Sequence, residues 1–171
     1  MRAILLAALA AGLFASTAEA RILYGQAEVI DGDSVRVDGV EVRLHGMDAP
    51  ELGQICHRDG EPWDCGEEAR QALVALVEGK TLSCRRTIYS AAYVGDCRVE
   101  GEIVSAMMLS DGWAVVDRRG PRRYVGFESE ARRAGVNLWA GEFDSPWEWR
   151  KDNSGAKGGQ IVLFDQRVIA P

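Results

Sequence analysis

The stretch from Val29 to Glu51 limits the fold of this chain more than any other part of the sequence. Asp38-Gly39 lies at its centre, and this dipeptide favours a two-residue hairpin turn that needs positive φ at both central positions. Alternate positions on both sides of the turn are apolar, which predicts two half-buried strands: Val35, Val37, Val40, Val42 and Leu44. The sequence therefore predicts a β-hairpin that packs one face into a core.

Charged residues are concentrated at the open end of this hairpin. A two-residue turn pairs Val37 with Val40 and Ser34 with Arg43, which brings four carboxylates and one guanidinium to one end: Asp31, Asp33, Arg43, Asp48 and Glu51. Acidic groups held this closely repel one another unless a cation or an arginine lies between them. The pattern thus indicates a functional cluster rather than scattered surface charge.

Segments at both ends of the chain differ in composition from the rest of its 171 residues. Arg2, the apolar run from Ile4 to Phe14 and the small-x-small site ending at Ala20 are typical of a secretory signal peptide. We expect a signal peptide at 1–20, one domain at 21–150 and a flexible tail at 151–171. The protein is then expected to be periplasmic or secreted, with no membrane anchor after cleavage.

Export would place the four cysteines in an oxidising compartment, where cysteines form disulfides by default. Four cysteines allow three pairings, of which we favour Cys56–Cys65, closing a loop, and Cys84–Cys97, joining two strands. A zinc site of His57, Cys56 and Cys65 is the alternative, although the usual zinc-ligand spacings are absent from the sequence.

Short, closely spaced strands alternate with three predicted helices along the rest of the chain: 66–78, 103–110 and 127–134. The predicted loops include 52–65 and 87–92, and Trp147 to Trp149 are expected to plug the barrel end or lie outside it. This order predicts a mainly β protein with α elements (α+β), a small closed barrel capped by about three helices.

Three motifs identify a family resemblance: VIDGDSV, RLHGMDAPE and the later GWAV…GVNLWAG. They resemble the thermonucleases, the staphylococcal nuclease-like family of the OB fold, over roughly Ala27 to Trp149. The resemblance implies a five-stranded OB-fold barrel and an enzyme that hydrolyses DNA or RNA phosphodiester bonds with calcium.

The resemblance also assigns roles to the charged cluster. Asp33, Asp48 and the backbone carbonyl of Ala49, where the family commonly has threonine, match calcium ligands, which are oxygen atoms as this hard cation prefers. Glu51 matches the general base, and Arg43 matches one of two arginines that bind the reacting phosphate. Asp31 matches an aspartate beside the site that orients the waters around the metal.

The second phosphate-binding arginine of the family has no counterpart at its expected position. Counting back from Cys97, Ala92 falls where the D-x-Y-G-R motif has its arginine. Losing such a transition-state donor typically costs about 10²–10³ in rate. Other arginines are candidate substitutes and candidate substrate-binding residues: Arg85, Arg86, Arg118, Arg119, Arg122 and Arg123.

Two hypotheses therefore remain. The first is an exported, calcium-dependent nuclease, impaired by Ala92, and expected to be a monomer that acts on nucleic acid. The second is a non-catalytic OB-fold module that binds nucleic acid, a polysaccharide or a protein. The net charge of −6 argues against a general nucleic-acid coat protein but allows a local basic groove.

Overall fold

The structure is a computed structural model that describes residues 22–89, 92–118 and 120–154. The predicted signal peptide at 1–20 lies outside the described residues, as does most of the predicted tail, 155–171. In the described part of the chain no helix is both long enough and apolar enough to cross a bilayer.

The described residues form ten strands: β1 (Ile22–Val29), β2 (Ser34–Val37), β3 (Val40–Leu44), β4 (Met47–Asp48), β5 (Ile55–Arg58), β6 (Glu61–Asp64), β7 (Thr81–Tyr89), β8 (Tyr93–Val99), β9 (Glu102–Ile103) and β10 (Val115–Val116). Strands β1, β2, β3, β7 and β8 close into a barrel, because β3 pairs in parallel with β8 while the other neighbours are antiparallel. The predicted five-stranded OB-fold barrel is confirmed.

The central hairpin has the predicted register. Val37 pairs with Val40 and Ser34 with Arg43, and the turn residues Asp38 and Gly39 have φ of 50° and 73°. The inward-facing side chains of β2 and β3 are fully buried in the barrel core: Val35, Val37, Val42 and Leu44. Burial of this face fixes the register, because a shift by one residue would turn the apolar face to solvent.

In the part of the chain that the structure describes, four α-helices accompany the barrel: α1 (Cys65–Val77), α2 (Val104–Ser110), α3 (Val125–Ala134) and α4 (Pro146–Asn153). The first three are the predicted helices with small changes of boundary. Asp64 caps the start of α1 by accepting a hydrogen bond from the Glu67 amide, and Gly135 ends α3 with a φ of 62°. The fourth, α4, was not predicted, and it begins at Pro146 and runs through Asn153.

The predicted loop at 52–65 is wrong, since most of it forms the β5–β6 hairpin. Its turn is another Asp-Gly pair, Asp59-Gly60, with φ of 54° and 82°. The hairpin faces are largely polar or exposed, so the apolar alternation that reveals a core strand is weak here. The predicted loop at 87–92 is shorter than expected, because β7 continues to Tyr89.

Both predicted disulfides are present in the structure. Cys56–Cys65 ties β5 to the start of α1, and Cys84–Cys97 joins the paired strands β7 and β8. The zinc alternative is wrong, because the thiols of Cys56 and Cys65 are bonded to each other.

Candidate active site

The hairpin draws its charged residues together at the mouth of the barrel. Arg43, on β3, donates from Nη2 to Asp33 Oδ2 and to Asp48 Oδ1, at 2.8 Å each. Asp48 is held in place because β4 pairs with β10, opposite Val115. The structure thus brings the predicted Asp33, Arg43 and Asp48 into one ion-paired group.

The turn before β2 orients Asp33. The Asp33 amide donates to Asp31 Oδ1 at 3.0 Å, and Ser34 Oγ donates to Asp33 Oδ1 at 2.9 Å. Ala49 lies against this turn, because a Cβ on Gly32 would be only 2.7 Å from the Ala49 side chain. Asp31 and Ala49 therefore both flank the predicted metal ligand Asp33.

Asp33 is a buried acid whose pKa is raised above its usual value. Burial raises the pKa of Asp33 to about 7, while the charge of Arg43 lowers it and the charges of Asp31 and Asp48 raise it. Only 5% of the residue is exposed. Burial of the Asp33 carboxyl, together with the neighbouring acidic charges, therefore outweighs the opposing effect of Arg43 on its pKa.

Arg150, on α4, is the site residue that sequence reasoning missed. Its Nη1 and Nη2 atoms donate to Asp48 Oδ1 and Oδ2 at 2.8 Å each, and Nη1 also donates to Glu51 Oε1 at 2.5 Å. These hydrogen bonds, first of all those to Asp48, raise the pKa of Arg150. Asp48 Oδ1 therefore accepts hydrogen bonds from both Arg43 and Arg150.

A sequence signal for α4 exists, although its contact with the site could not be read from it. Ser145-Pro146-Trp147-Glu148 combines the S-x-x-E pattern of a capping box with proline at the first helical position. In the structure Ser145 Oγ donates to the Glu148 carboxylate. This signal predicts where the helix begins, but not which residues of the barrel it packs against.

Gln54 links the glutamate loop to the segment that leads into α4. Its side chain is fully buried. The Glu51 amide donates to Gln54 Oε1 at 3.1 Å, and Gln54 Nε2 donates to the carbonyl of Asp144 at 2.8 Å. The buried Gln54 side chain thus connects the Glu51 backbone to the segment that precedes α4.

Among the described residues, none of the predicted substitute arginines is hydrogen-bonded to Asp33, Asp48 or Glu51. Arg85 is exposed on β7, Arg86 donates to the Ala92 carbonyl at 3.5 Å, and Arg119 lies outside the described residues. Arg122 is exposed in a 3₁₀ turn, and Arg123 pairs with Asp96 at 3.4 Å. Ala92 itself lines a groove beside Arg43 and Arg86.

A cavity of about 600 Å³ opens at the ion-paired group. Its lining carries three guanidinium groups, from Arg43, Arg118 and Arg150, against the carboxylates of Asp48 and Asp117. Arg118 lies over the Trp147 ring, with its guanidinium carbon 5.1 Å from the ring centroid. The cavity is therefore a local basic recess on an acidic protein, with an aromatic wall.

His45 also lines this cavity, and it contacts the neighbouring strand β8. Its Nδ1 atom lies 3.0 Å from Asp96 Oδ1. The same carboxylate contacts Arg123 and the hydroxyl of the buried Tyr124. Gly46 allows this packing, since it has a φ of 84° and a Cβ there would lie 2.5 Å from the Tyr124 ring.

The donor chemistry of the site suits a hard divalent cation. When all are counted as ionised, the carboxylates of Asp31, Asp33, Asp48 and Glu51 carry four negative charges against the two positive charges of Arg43 and Arg150, a formal excess of two (four minus two). The described residues contain no preformed cluster of three potential metal-binding side chains. Arg43 and Arg150 instead hold the oxygens of Asp48, so a cation at Asp48 would have to compete with these guanidinium groups.

Comparison with known proteins places the chain in a family. The family described as "Staphylococcal nuclease homologue" matches residues 41–141. The chain is 34% identical over 125 residues to a probable staphylococcal-like nuclease, CAN2, of Oryza sativa subsp. japonica. It is 36% identical over 97 residues to the staphylococcal-like nuclease CAN1 of Arabidopsis thaliana. The chain therefore belongs to the staphylococcal nuclease homologue family.

The matches cover unequal shares of the two partners. They span 69% of this chain but 31% of the rice protein, and 53% of this chain but 29% of the Arabidopsis protein. The chain thus spans about a third of the length of these curated relatives.

Proposed function

We propose that this protein is an exported, calcium-dependent nuclease that hydrolyses phosphodiester bonds of DNA or RNA. The observation that carries the proposal is the ion-paired group of Asp33, Arg43 and Asp48, which Arg150 links to Glu51, beside an open, arginine-lined cavity. The family and the names of its plant relatives, staphylococcal-like nucleases, support the same activity.

The reaction is hydrolysis with these residues in distinct roles. Glu51 accepts a proton from a water molecule as the water oxygen bonds to phosphorus, the ester P–O bond breaks, and the leaving oxygen takes a proton from solvent. Arg43 donates to the phosphate oxygens, where negative charge increases in the transition state. A guanidinium suits this role because its parallel N–H groups match two phosphate oxygens.

Calcium is proposed from the donor chemistry and the family. Asp33, Asp48 and the Ala49 carbonyl would hold it, and the excess of two negative charges supports a divalent cation. When bound, calcium supplies positive charge beside the phosphate and would favour the ionised form of Asp33. Asp31 would keep Asp33 oriented through the hydrogen bond to its amide.

Export is proposed from the composition of residues 1–20 and is supported by the two disulfides, which persist in oxidising compartments. The periplasm or the outside medium is then the location. Mass spectrometry of protein recovered from the producing cells tests this, with a chain beginning near Arg21 expected and an intact residue 1–20 segment contradicting it.

The nuclease activity is tested with single-stranded DNA and with RNA, in calcium and then in excess chelator. Turnover is expected with calcium and not with chelator, and Glu51→Ala is expected to abolish most of it. A wild-type rate in calcium no higher than that of Glu51→Ala would rule out catalysis at this site.

A non-catalytic binding module is the second candidate, and Ala92 in place of the second arginine is the observation that favours it. This alternative predicts salt-sensitive binding of nucleic acid without cleavage. Turnover that disappears in Asp48→Ala would reject it.

A further inference from the structure

We propose that Arg150 supplies the second phosphate-binding guanidinium of this site, from a different part of the chain than the strand position occupied by Ala92. This inference rests on the proposed nuclease function. Under this proposal, α4 contributes a residue to the active site and is more than a helix packed on the outside of the barrel.

Arg150 and Arg43 lie next to each other at the site. Both guanidinium groups donate to the same atom, Asp48 Oδ1, at 2.8 Å. Two groups that share one carboxylate oxygen are close enough to share one phosphate, because both anions present oxygens of similar spacing. Arg43 and Arg150 therefore form a two-armed clamp around a single anionic group.

Both guanidinium groups are accessible to solvent. The side chain of Arg150 is 35% exposed and that of Arg43 is 41% exposed, while Asp33 and Asp48 beside them are nearly buried. Both arginines line the cavity of about 600 Å³. A phosphodiester in this cavity can therefore replace the Asp48 carboxylate as the hydrogen-bond partner of both guanidinium groups.

Arg150 also contacts Glu51, the proposed general base. One guanidinium thus contacts both a predicted metal ligand and the predicted base. A cation that binds Asp48 competes directly with Arg150 for this carboxylate. Occupation of Asp48 would thus release Arg150 toward the cavity, where the reacting phosphate binds.

Neighbouring arginines are less suited to this role. Arg118 lines the same cavity but lies over the Trp147 ring, and Arg123 is engaged by Asp96 and Tyr124. Arg86 lies in the groove with Ala92 and donates to its carbonyl. Among the described residues, Arg150 is the guanidinium besides Arg43 that contacts the acidic group.

The test compares Arg150→Ala, Arg150→Lys and the control Lys151→Ala in the complete purified protein. Lys151 is an exposed cation on the same helix, so this control removes the same charge without touching the acidic group. kcat and KM are measured on a single-stranded DNA oligonucleotide in calcium. Calcium affinity is measured by calorimetry without DNA, and the melting temperature checks the fold.

Arg150→Ala is expected to lower kcat by about 10²–10³, with a smaller effect on KM, because the lost contact is strongest in the transition state. Arg150→Lys is expected to recover only part of the rate, since an ammonium cannot form the bidentate contact. Lys151→Ala is expected to stay within about twofold of wild type. In Arg150→Ala, calcium should bind about tenfold more tightly without DNA, because a charge-assisted competitor for Asp48 is gone.

The outcomes separate this inference from the function on which it rests. If wild type cleaves DNA and Arg150→Ala retains kcat within about threefold, the inference is wrong and the nuclease proposal stands. If Arg150→Ala lowers only the melting temperature, Arg150 is a structural contact and the inference is again wrong. If wild type is no faster than Glu51→Ala, the nuclease proposal fails and the role of Arg150 fails with it.

Discussion

The two sides of this site come from very different distances along the chain. One side is local, because Asp33, Arg43, Asp48 and Glu51 belong to the central hairpin and the turn that follows it. The other side is remote, because Arg150 reaches Asp48 from 102 residues away. A site can therefore have a complete sequence motif on one side and no motif at all on the other.

The largest expected effect tests the local side alone. Glu51→Gln keeps the size of the side chain and a partner for Arg150 but removes the carboxylate that we propose as the proton acceptor. We expect kcat to fall by about 10²–10⁴, the usual contribution of a general base. Single-turnover cleavage of a DNA oligonucleotide measures this, with the exposed Glu61→Gln as the matched control.

If kcat of Glu51→Gln falls by less than about tenfold, Glu51 is not the general base and the local side lacks the proposed role. The base would then have to lie elsewhere. His45, paired with Asp96 at the cavity wall, would be the first residue to examine.

The local side could be predicted from the sequence for a physical reason. Asp38-Gly39 specifies the turn, the alternating valines specify the buried face, and the two together fix the register that pairs Ser34 with Arg43. The disulfide pairing was also predictable once the strands were placed, since Cys84 and Cys97 oppose each other on β7 and β8.

The remote side could not be predicted in the same way. The capping pattern at Ser145 indicates a helix start, but α4 has a polar surface with little amphipathic pattern to show which face packs inward. Its docking depends on tertiary contacts such as the one from buried Gln54 to the Asp144 carbonyl. The β5–β6 hairpin was missed for a related reason, because its two strands pair through their backbones while their faces are largely exposed and carry no apolar stripe.

The next effect tests the connection between the two sides. Gln54→Leu removes the partner of the Glu51 amide and of the Asp144 carbonyl. We expect the free energy of unfolding to fall by about 1–3 kcal/mol, the cost of leaving buried polar groups without partners. We also expect kcat to fall, because both Glu51 and α4 lose a fixed support. Urea unfolding and steady-state cleavage measure the two effects.

The control for this variant is Gln71→Leu, at an exposed glutamine of α1. Its free energy of unfolding is expected to change by less than about 0.5 kcal/mol. Equal stability and activity of Gln54→Leu and wild type would show that the two sides are positioned independently.

The smallest effect tests how the cavity wall supports substrate binding. Trp147→Ala removes the ring under Arg118. A cation–π contact at a partly exposed site contributes about 0.5–1 kcal/mol, so we expect KM to rise about two- to fivefold with kcat nearly unchanged. Trp147→Phe keeps an aromatic ring and should stay close to wild type. A fall in kcat that matches Arg150→Ala would instead show that Trp147 positions α4.

The central claim is that a guanidinium on α4 replaces the one that Ala92 cannot provide. The most direct measurement is kcat for Arg150→Ala with and without the second substitution Ala92→Arg. The account predicts that Ala92→Arg raises the kcat of Arg150→Ala at least about tenfold, because a guanidinium returns to the groove beside Arg43. It predicts a much smaller gain in the wild-type background, where Arg150 already fills the role. A large gain in wild type with no recovery in Arg150→Ala would contradict the account.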